Sequence, residues 1–119
     1  MDFSDRGIVL LSKLLDLTAT SNKVLANNIA NANTPGFKKY DVSFQKELVR
    51  AVESKDINKI RNIHEKITLS RDKSSRKDGN NVDLDMELVT FYNMSDRHNL
   101  YLEIISKKFK GMVAAIQGK

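Results

Sequence analysis

The chain contains no cysteine and no tryptophan, and only one proline and five glycines in 119 residues. Without cysteine there is no disulfide, no thiolate metal site and no thiol nucleophile. Aromatic residues amount to 7% against 40% hydrophobic residues overall. That composition provides one domain at most, and suits a thin helical bundle better than a thick globular core. Long hydrophobic runs are missing too. The apolar stretch from Ile8 to Leu17 is broken by Lys13 and Asp16, and nothing approaches the roughly 20 apolar residues that span a bilayer. The opening Met1-Asp2-Phe3-Ser4-Asp5 is acidic where a secretory signal is basic, and no small-residue cleavage site follows. The expectation is a soluble protein without a Sec-type signal.

Catalytic constellations are equally scarce. His64 and His98 are the only histidines, and His98 falls in a helix seam, a place for a packed or capping imidazole. No Ser-His-Asp order, Gly-rich phosphate loop or His-Glu-x-x-His spacing is present. Asp83, Asp85 and Glu87 suggest a cation site, but alternate carboxylates on a helix diverge by about 200°. They read better as charge at a helix start. No catalytic residue, metal ligand, cofactor or small-molecule substrate is therefore expected.

The net charge of +5 is unevenly placed. Residues 38–80 hold twelve Lys and Arg against seven Asp and Glu, whereas the flanking segments balance. A basic stretch can serve nucleic acid or anionic lipid. Here the cations are interspersed with Asp41, Glu47, Glu53, Asp56 and Glu65 and lack interleaved aromatics, which reads as a solvated surface.

What is present is helical period. From Ser4 to Ala32 the residues Ile8, Leu11, Leu15, Thr18, Asn22, Leu25 and Ile29 recur at steps of three and four. The mean period of 3.5 marks a heptad seam. Ser4 can cap this helix, and Asp5 suits the positive end of its dipole. Thr18 and Asn22 are polar seam positions, which weaken packing but fix register. The helix must stop at Asn33-Thr34-Pro35-Gly36, because Pro35 disfavours helical backbone at Thr34 and Pro-Gly fits the centre of a type II turn.

A second long helix is predicted from Asp83 to about Gln117, roughly 50 Å long. Asp83, Asp85 and Glu87 load its start, Lys107, Lys108 and Lys110 load its last turns, and Gly118 follows as a stop. Its seam runs Leu84, Leu88, Phe91, Ser95, His98, Leu102, Ile105, Phe109, Met112 and Ile116. Between the helices, residues 41–53 read as a short helix carrying Phe44, Leu48 and Val52. Ile57, Ile60, Ile63 and Ile67 fit another short helix or an extended arm. Residues 70–81 have no apolar side chain and read as a mobile loop. The expected class is mainly α: two long terminal heptad helices pairing as a coiled-coil-like hairpin, with a small irregular middle region. The expected units are 1–37, 38–81 and 82–119.

Four asparagines crowd positions 27–33, where the last turns of a helix have little use for a poor helix former. Amides both donate and accept, so the cluster suits polar contacts to neighbouring backbone. The plain alternative is a frayed helix end plus a turn. Asn28-Ile29-Ala30-Asn31-Ala32-Asn33-Thr34-Pro35-Gly36-Phe37 resembles the signature of the flagellar rod, hook and hook-associated proteins. Gly79-Asn80-Asn81-Val82-Asp83-Leu84-Asp85-Met86-Glu87 is similar to the stretch before the C-terminal helix in proximal rod members. The resemblance covers about the first 40 and last 40 residues. The short middle region points to the proximal rod, since hook and distal-rod relatives carry longer insertions. The middle, 38–80, matches only loosely.

The resemblance implies a structural subunit whose terminal helices form an inner tube domain in a helical array around an export channel, transmitting motor torque. It implies a basal-body location in the periplasm-spanning rod, with export through the flagellar type III apparatus and no cleaved signal. Partners would be further copies, proximal rod neighbours and the junction with the export gate and MS ring. The expected assembly residues are Ile8, Leu11, Leu15, Asn22, Leu25 and Ile29 on the first helix and Asn31, Asn33, Pro35, Gly36 and Phe37 at the turn. On the last helix they are Leu88, Phe91, Leu102, Ile105, Phe109, Met112 and Ile116. The alternatives are a coiled-coil adaptor of another assembly and a basic nucleic-acid-binding module. The Asn-Thr-Pro-Gly turn speaks against the first, because an ordinary helical hairpin has no need of that spelling.

Overall fold

The computed structural model of the chain describes residues 2–118 and, within them, side chains from Arg6 onward. Helix α1 spans Asp2–Ala30, two residues upstream of the expected helix at both ends. Ser4 therefore lies inside the helix and not at its N-cap position. The chain then passes through β1 (Tyr40–Ser43), α2 (Gln45–Ser54), α3 (Ile57–Arg61) and β2 (Lys66–Leu69) before α4 (Leu84–Ile116). Asp83 caps α4, its carboxylate accepting from Met86 N at 3.2 Å, and Gly118 ends it with φ +71. The expected basic residues fall short of the end of α4, whose final turn holds none.

The two long helices pair antiparallel, as Thr18–His98 and Asn22–Ser95 bonds across them show. The fold is mainly α, a hairpin of terminal helices with a small middle region. Extents of 65 × 28 × 14 Å make it a thin, elongated slab.

The middle region is more regular than expected. Residues 41–53 resolve into β1 followed by α2, with Phe44 buried just ahead of the helix, Leu48 half-buried and Val52 exposed. The isoleucine series divides between α3, which buries Ile60, and β2, which carries Ile67. Strands β1 and β2 pair antiparallel, with Tyr40 opposite Leu69 and Ser43 opposite Lys66.

The core joins this region to α1. Leu17, Phe44, Ala51, Ile60 and Ile63 are buried together, with Val9, Leu10, Val42 and Leu48 packed around them. Lys13 Nζ adds a hydrogen bond to Ile63 O at 3.1 Å. Helix α1 thus carries two stripes about 120° apart on its surface: the heptad seam, and a second line through Leu10, Leu17 and Asn28. The second was hidden because Lys13, Ser21 and Asn28 interrupt its apolar character.

Helix α4 also differs from expectation. Its face toward α1 is rotated from the predicted seam and runs through Glu87, Phe91, Met94, His98, Tyr101, Ile105 and Met112, none of which is exposed. Leu84, Leu102, Phe109 and Ile116 lie outside that line and are exposed, Ile116 to 80%. A 3.5-residue spacing fits two neighbouring lines on this helix equally well, since Met94 and Tyr101 compete with Ser95 and Leu102. Among the described residues α4 buries only Glu87.

Candidate assembly surface

The signature turn is built as its residues require. Phe37 N donates to Thr34 O at 3.2 Å, closing a four-residue turn around Pro35 and Gly36. Gly36 has φ +75, the value demanded at the third position of a type II turn. A Cβ there would meet nothing within 4 Å, so backbone conformation alone requires the glycine.

Residues 74–81 fold back onto this turn, which corrects the expectation of a mobile loop. Asn80, 1% exposed, donates to Asn31 O at 2.8 Å and Thr34 O at 2.9 Å. Its own Oδ1 accepts from Val82 N at 2.8 Å. Gly36 N donates to Asp78 O at 2.8 Å and Asn81 N to Phe37 O at 3.3 Å, while Arg76 Nη1 donates to Ala32 O. Asn31 O and Thr34 O, which already accept from Thr34 N and Phe37 N, thus gain a second bond from the segment that leads into α4, and Ala32 O takes its bond from Arg76. Polar bonding holds what apolar burial does not.

The asparagine cluster divides its labour. Asn28 is fully buried, at 0% exposure. Its Nδ2 donates to Tyr40 O at 2.8 Å and its Oδ1 accepts from Tyr40 N at 3.0 Å, so the amide pairs with the free edge of β1 as a strand would. Nδ2 also reaches Glu87 Oε2 at 3.2 Å. Asn31 Nδ2 donates to Asn27 O at 2.9 Å, and Asn31 Oδ1 accepts from Thr34 Oγ1 at 3.1 Å. Asn33 is exposed.

Glu87 is balanced by Lys39, whose Nζ stands 3.7 Å from Glu87 Oε1, 3.3 Å from Asp72 and 4.0 Å from Asp41. Burial pulls the Lys39 ammonium down. The hydrogen bond to Asp72 and the charges of Glu87, Asp41 and Asp72 outweigh it, and the group titrates above its ordinary value. Asn28 and Lys39–Glu87 are the polar joint between α1, the middle region and α4.

Further along the pair, Thr18 Oγ1 and His98 Nδ1 lie 2.7 Å apart, and Asn22 Nδ2 donates to Ser95 Oγ at 3.1 Å. Beyond them apolar side chains face outward. Leu102, Phe109, Val113 and Ile116 are exposed on one flank of α4, where Leu102, Ile105, Phe109 and Val113 line a shallow open groove; Val89, Leu100 and Ile104 are exposed on other sides.

Of the expected residues, Leu11 is buried and Ile8, Leu15, Asn22, Leu25, Ile29, Asn31 and Phe37 are half-buried along α1 and the turn. Leu88, Phe91, Ile105 and Met112 are half-buried on α4; Asn33, Pro35, Gly36, Leu102, Phe109 and Ile116 are exposed. Asn28, Asn80, Lys39 and Glu87 stand outside that set. Asn28, Asn80 and Glu87 lie within the two motif stretches, which is the signal that pointed to them. Among the described residues no group of three or more His, Asp or Glu is placed to hold a metal ion, and no helix is long and apolar enough to cross a membrane.

The family model for flagella basal body rod proteins matches residues 17–38, the stretch from the core of α1 through the turn. The flagellar basal body rod protein FlgB of Cereibacter sphaeroides is 31% identical, over 91% of this chain and 91% of its own length. FlgB of Buchnera aphidicola is 30% identical over 87% and 89%, and FlgB of Yersinia enterocolitica 28% over 98% and 98%. A hairpin of terminal helices closed by this turn, matched over such lengths, defines a rod protein of the flagellar basal body. Within that class the chain belongs to the FlgB family. It is a structural subunit of the basal-body rod, and assembles with other rod components.

Proposed function

We propose that the α1–α4 pair is the inner tube element of the proximal rod, and that the exposed flank of α4 is a contact with neighbouring subunits. The observation that carries this reading is the row Leu102, Phe109, Val113 and Ile116, left bare along a thin, elongated slab. Clustered apolar side chains of that size cost solvation until something covers them. In a helical array around the export channel, further copies and other proximal rod subunits cover them, up to the junction with the export gate and MS ring. The same packing transmits torque. The subunit acts by assembly and not by catalysis, and reaches the periplasm-spanning rod through the flagellar type III export apparatus.

Phe109→Asp tests it. Phe109 is exposed, so the monomer should lose only about 0.5 kcal/mol. The subunit should be made and exported at the normal level, yet be missing from purified basal bodies in non-motile cells. Normal incorporation and motility would remove the α4 flank as an assembly contact.

A further inference from the structure

The two-stranded sheet leaves one edge open. Ser70 N donates to Lys39 O at 2.8 Å, which fixes the ladder so that Lys66, Thr68 and Ser70 turn their backbone groups toward β1. Ile67 and Leu69 therefore turn theirs outward, and neither takes a hydrogen bond among the described residues. The corresponding groups of β1 differ: at Tyr40 the amide of Asn28 already occupies them. Only β2 offers a free edge with exposed apolar side chains, Ile67 at 48% and Leu69 at 54%.

That edge is complementary to itself. Antiparallel pairing with a second β2 centred on Thr68 places Ile67 opposite Leu69 of the other copy. Both residues have outward backbone groups, so this is the hydrogen-bonded register. The same register sets Glu65 opposite Arg71 twice over, joining opposite charges at both ends. Among the described residues neither Glu65 nor Arg71 has an ion-pair partner within the chain. Shifting by one residue would oppose inward-facing to outward-facing groups and lose the ladder.

We propose that two copies of this chain pair β2 to β2 across a two-fold axis, forming a four-stranded antiparallel sheet. The Ile67 and Leu69 side chains of both copies then make one apolar patch on a single face. Such an isologous contact closes after two subunits and cannot repeat along a polar helical array. It therefore belongs to subunits outside the rod, a paired resting form that shields the edge from unspecific strand addition. The inference does not rest on the α4 flank, and either can fail alone.

The absence of cysteine makes the test direct. Thr68→Cys puts a single thiol on the two-fold axis in a non-hydrogen-bonded pair, where Cβ atoms approach within about 4.5–5.5 Å. Purified full-length subunit at about 100 µM under mild oxidation should form a disulfide dimer at least tenfold faster than a Lys77→Cys control. Glu65→Arg or Arg71→Glu in the Thr68→Cys background should each slow cross-linking several-fold. The double reversal should restore it to within twofold, since the two charges exchange places. Cross-linking no faster than the loop control, or a double reversal no better than the singles, would overturn the pairing. A circular-dichroism melt of each variant excludes loss of fold as the cause.

Discussion

Asn28→Asp isolates the polar joint with an almost isosteric change. In the native chain the Asn28 amide donates to Tyr40 O at 2.8 Å and to Glu87 Oε2 at 3.2 Å, and accepts from Tyr40 N at 3.0 Å. Aspartate keeps the accepted bond and loses both donations, costing about 1–1.5 kcal/mol each. It also sets a second carboxylate against Glu87. At 3.2 Å the unscreened repulsion is about 5 kcal/mol for an effective dielectric near 20, and Lys39 beside Glu87 reduces it. Protonation sets a ceiling: holding an aspartic acid of ordinary pKa about 3.9 neutral at pH 7 costs about 4 kcal/mol. The expected loss at pH 7 is about 4–6 kcal/mol, a large share of the total stability of a domain.

The sign of the pH dependence follows. The folded-state pKa of the new aspartate lies above its unfolded value, so its penalty is absent below about pH 3.9 and grows as pH rises to the folded value. Asn28→Ala loses the hydrogen bonds without the added charge, and serves as the reference. Urea unfolding followed by circular dichroism, in a stabilising osmolyte if needed, should place Asn28→Asp below Asn28→Ala at pH 7. The gap should shrink by about 2–3 kcal/mol at pH 4.5. An aspartate variant equal to the alanine variant at pH 7, or a gap that does not change with acidification, refutes the close contact with Glu87.

Other perturbations have smaller or simpler consequences. Gly36→Ala should destabilise by about 1–2 kcal/mol through its positive φ alone, with Gly36→Val worse, measured as a fall in urea midpoint. Lys55, which ends α2 with φ 58 and its N–H bonded to Val52 O, should gain about 0.5–1 kcal/mol on replacement by glycine. The raised pKa of Lys39 means that its contribution is whole below 10.5 and is lost as pH climbs through the folded value. The stability difference between the native chain and Lys39→Met should therefore hold flat from pH 7 to 9 and narrow in alkaline solution. Asn80→Ala, which removes the bonds to Asn31 O and Thr34 O and leaves the buried Val82 N–H without its acceptor, should cost about 2–3 kcal/mol and speed tryptic cutting at Lys73, Arg76 and Lys77.

The helical hairpin and its turn were legible in the sequence because both are written locally. A 3.5-residue period and a Pro-Gly pair need no distant partner to be read. What stayed hidden depends on partners far along the chain. Asn80 meets Asn31 across 49 residues, and Asn28 meets Glu87 across 59. Nothing near Asn28 says that its amide will stand in for a strand against Tyr40. The strands themselves are four residues each and pair over a long insertion, so alternation has too few positions to register. The loop was misread for a related reason: an apolar-free segment has no hydrophobic ground for order, yet side-chain amides and carbonyls can fix it when the other half of each bond is already in place.

That division has a physical consequence for a subunit that must assemble. The buried side chains of the chain gather around Leu17, Asn28, Ile60 and Asn80, at the turn and middle region. From Leu88 to Ile116 α4 buries none, and Thr18–His98 and Asn22–Ser95 join it to α1 by hydrogen bonds beside apolar side chains that are only half-buried. Polar seam bonds choose a register more firmly than they add stability. The closed end thus fixes the geometry with which the helices leave the turn, while the outer reach of α4 keeps apolar side chains in reserve. If apolar burial along the pair were meant to close within one chain, Leu102, Phe109 and Ile116 would lie on the line that faces α1. They lie beside it, where a neighbour in the rod can reach them.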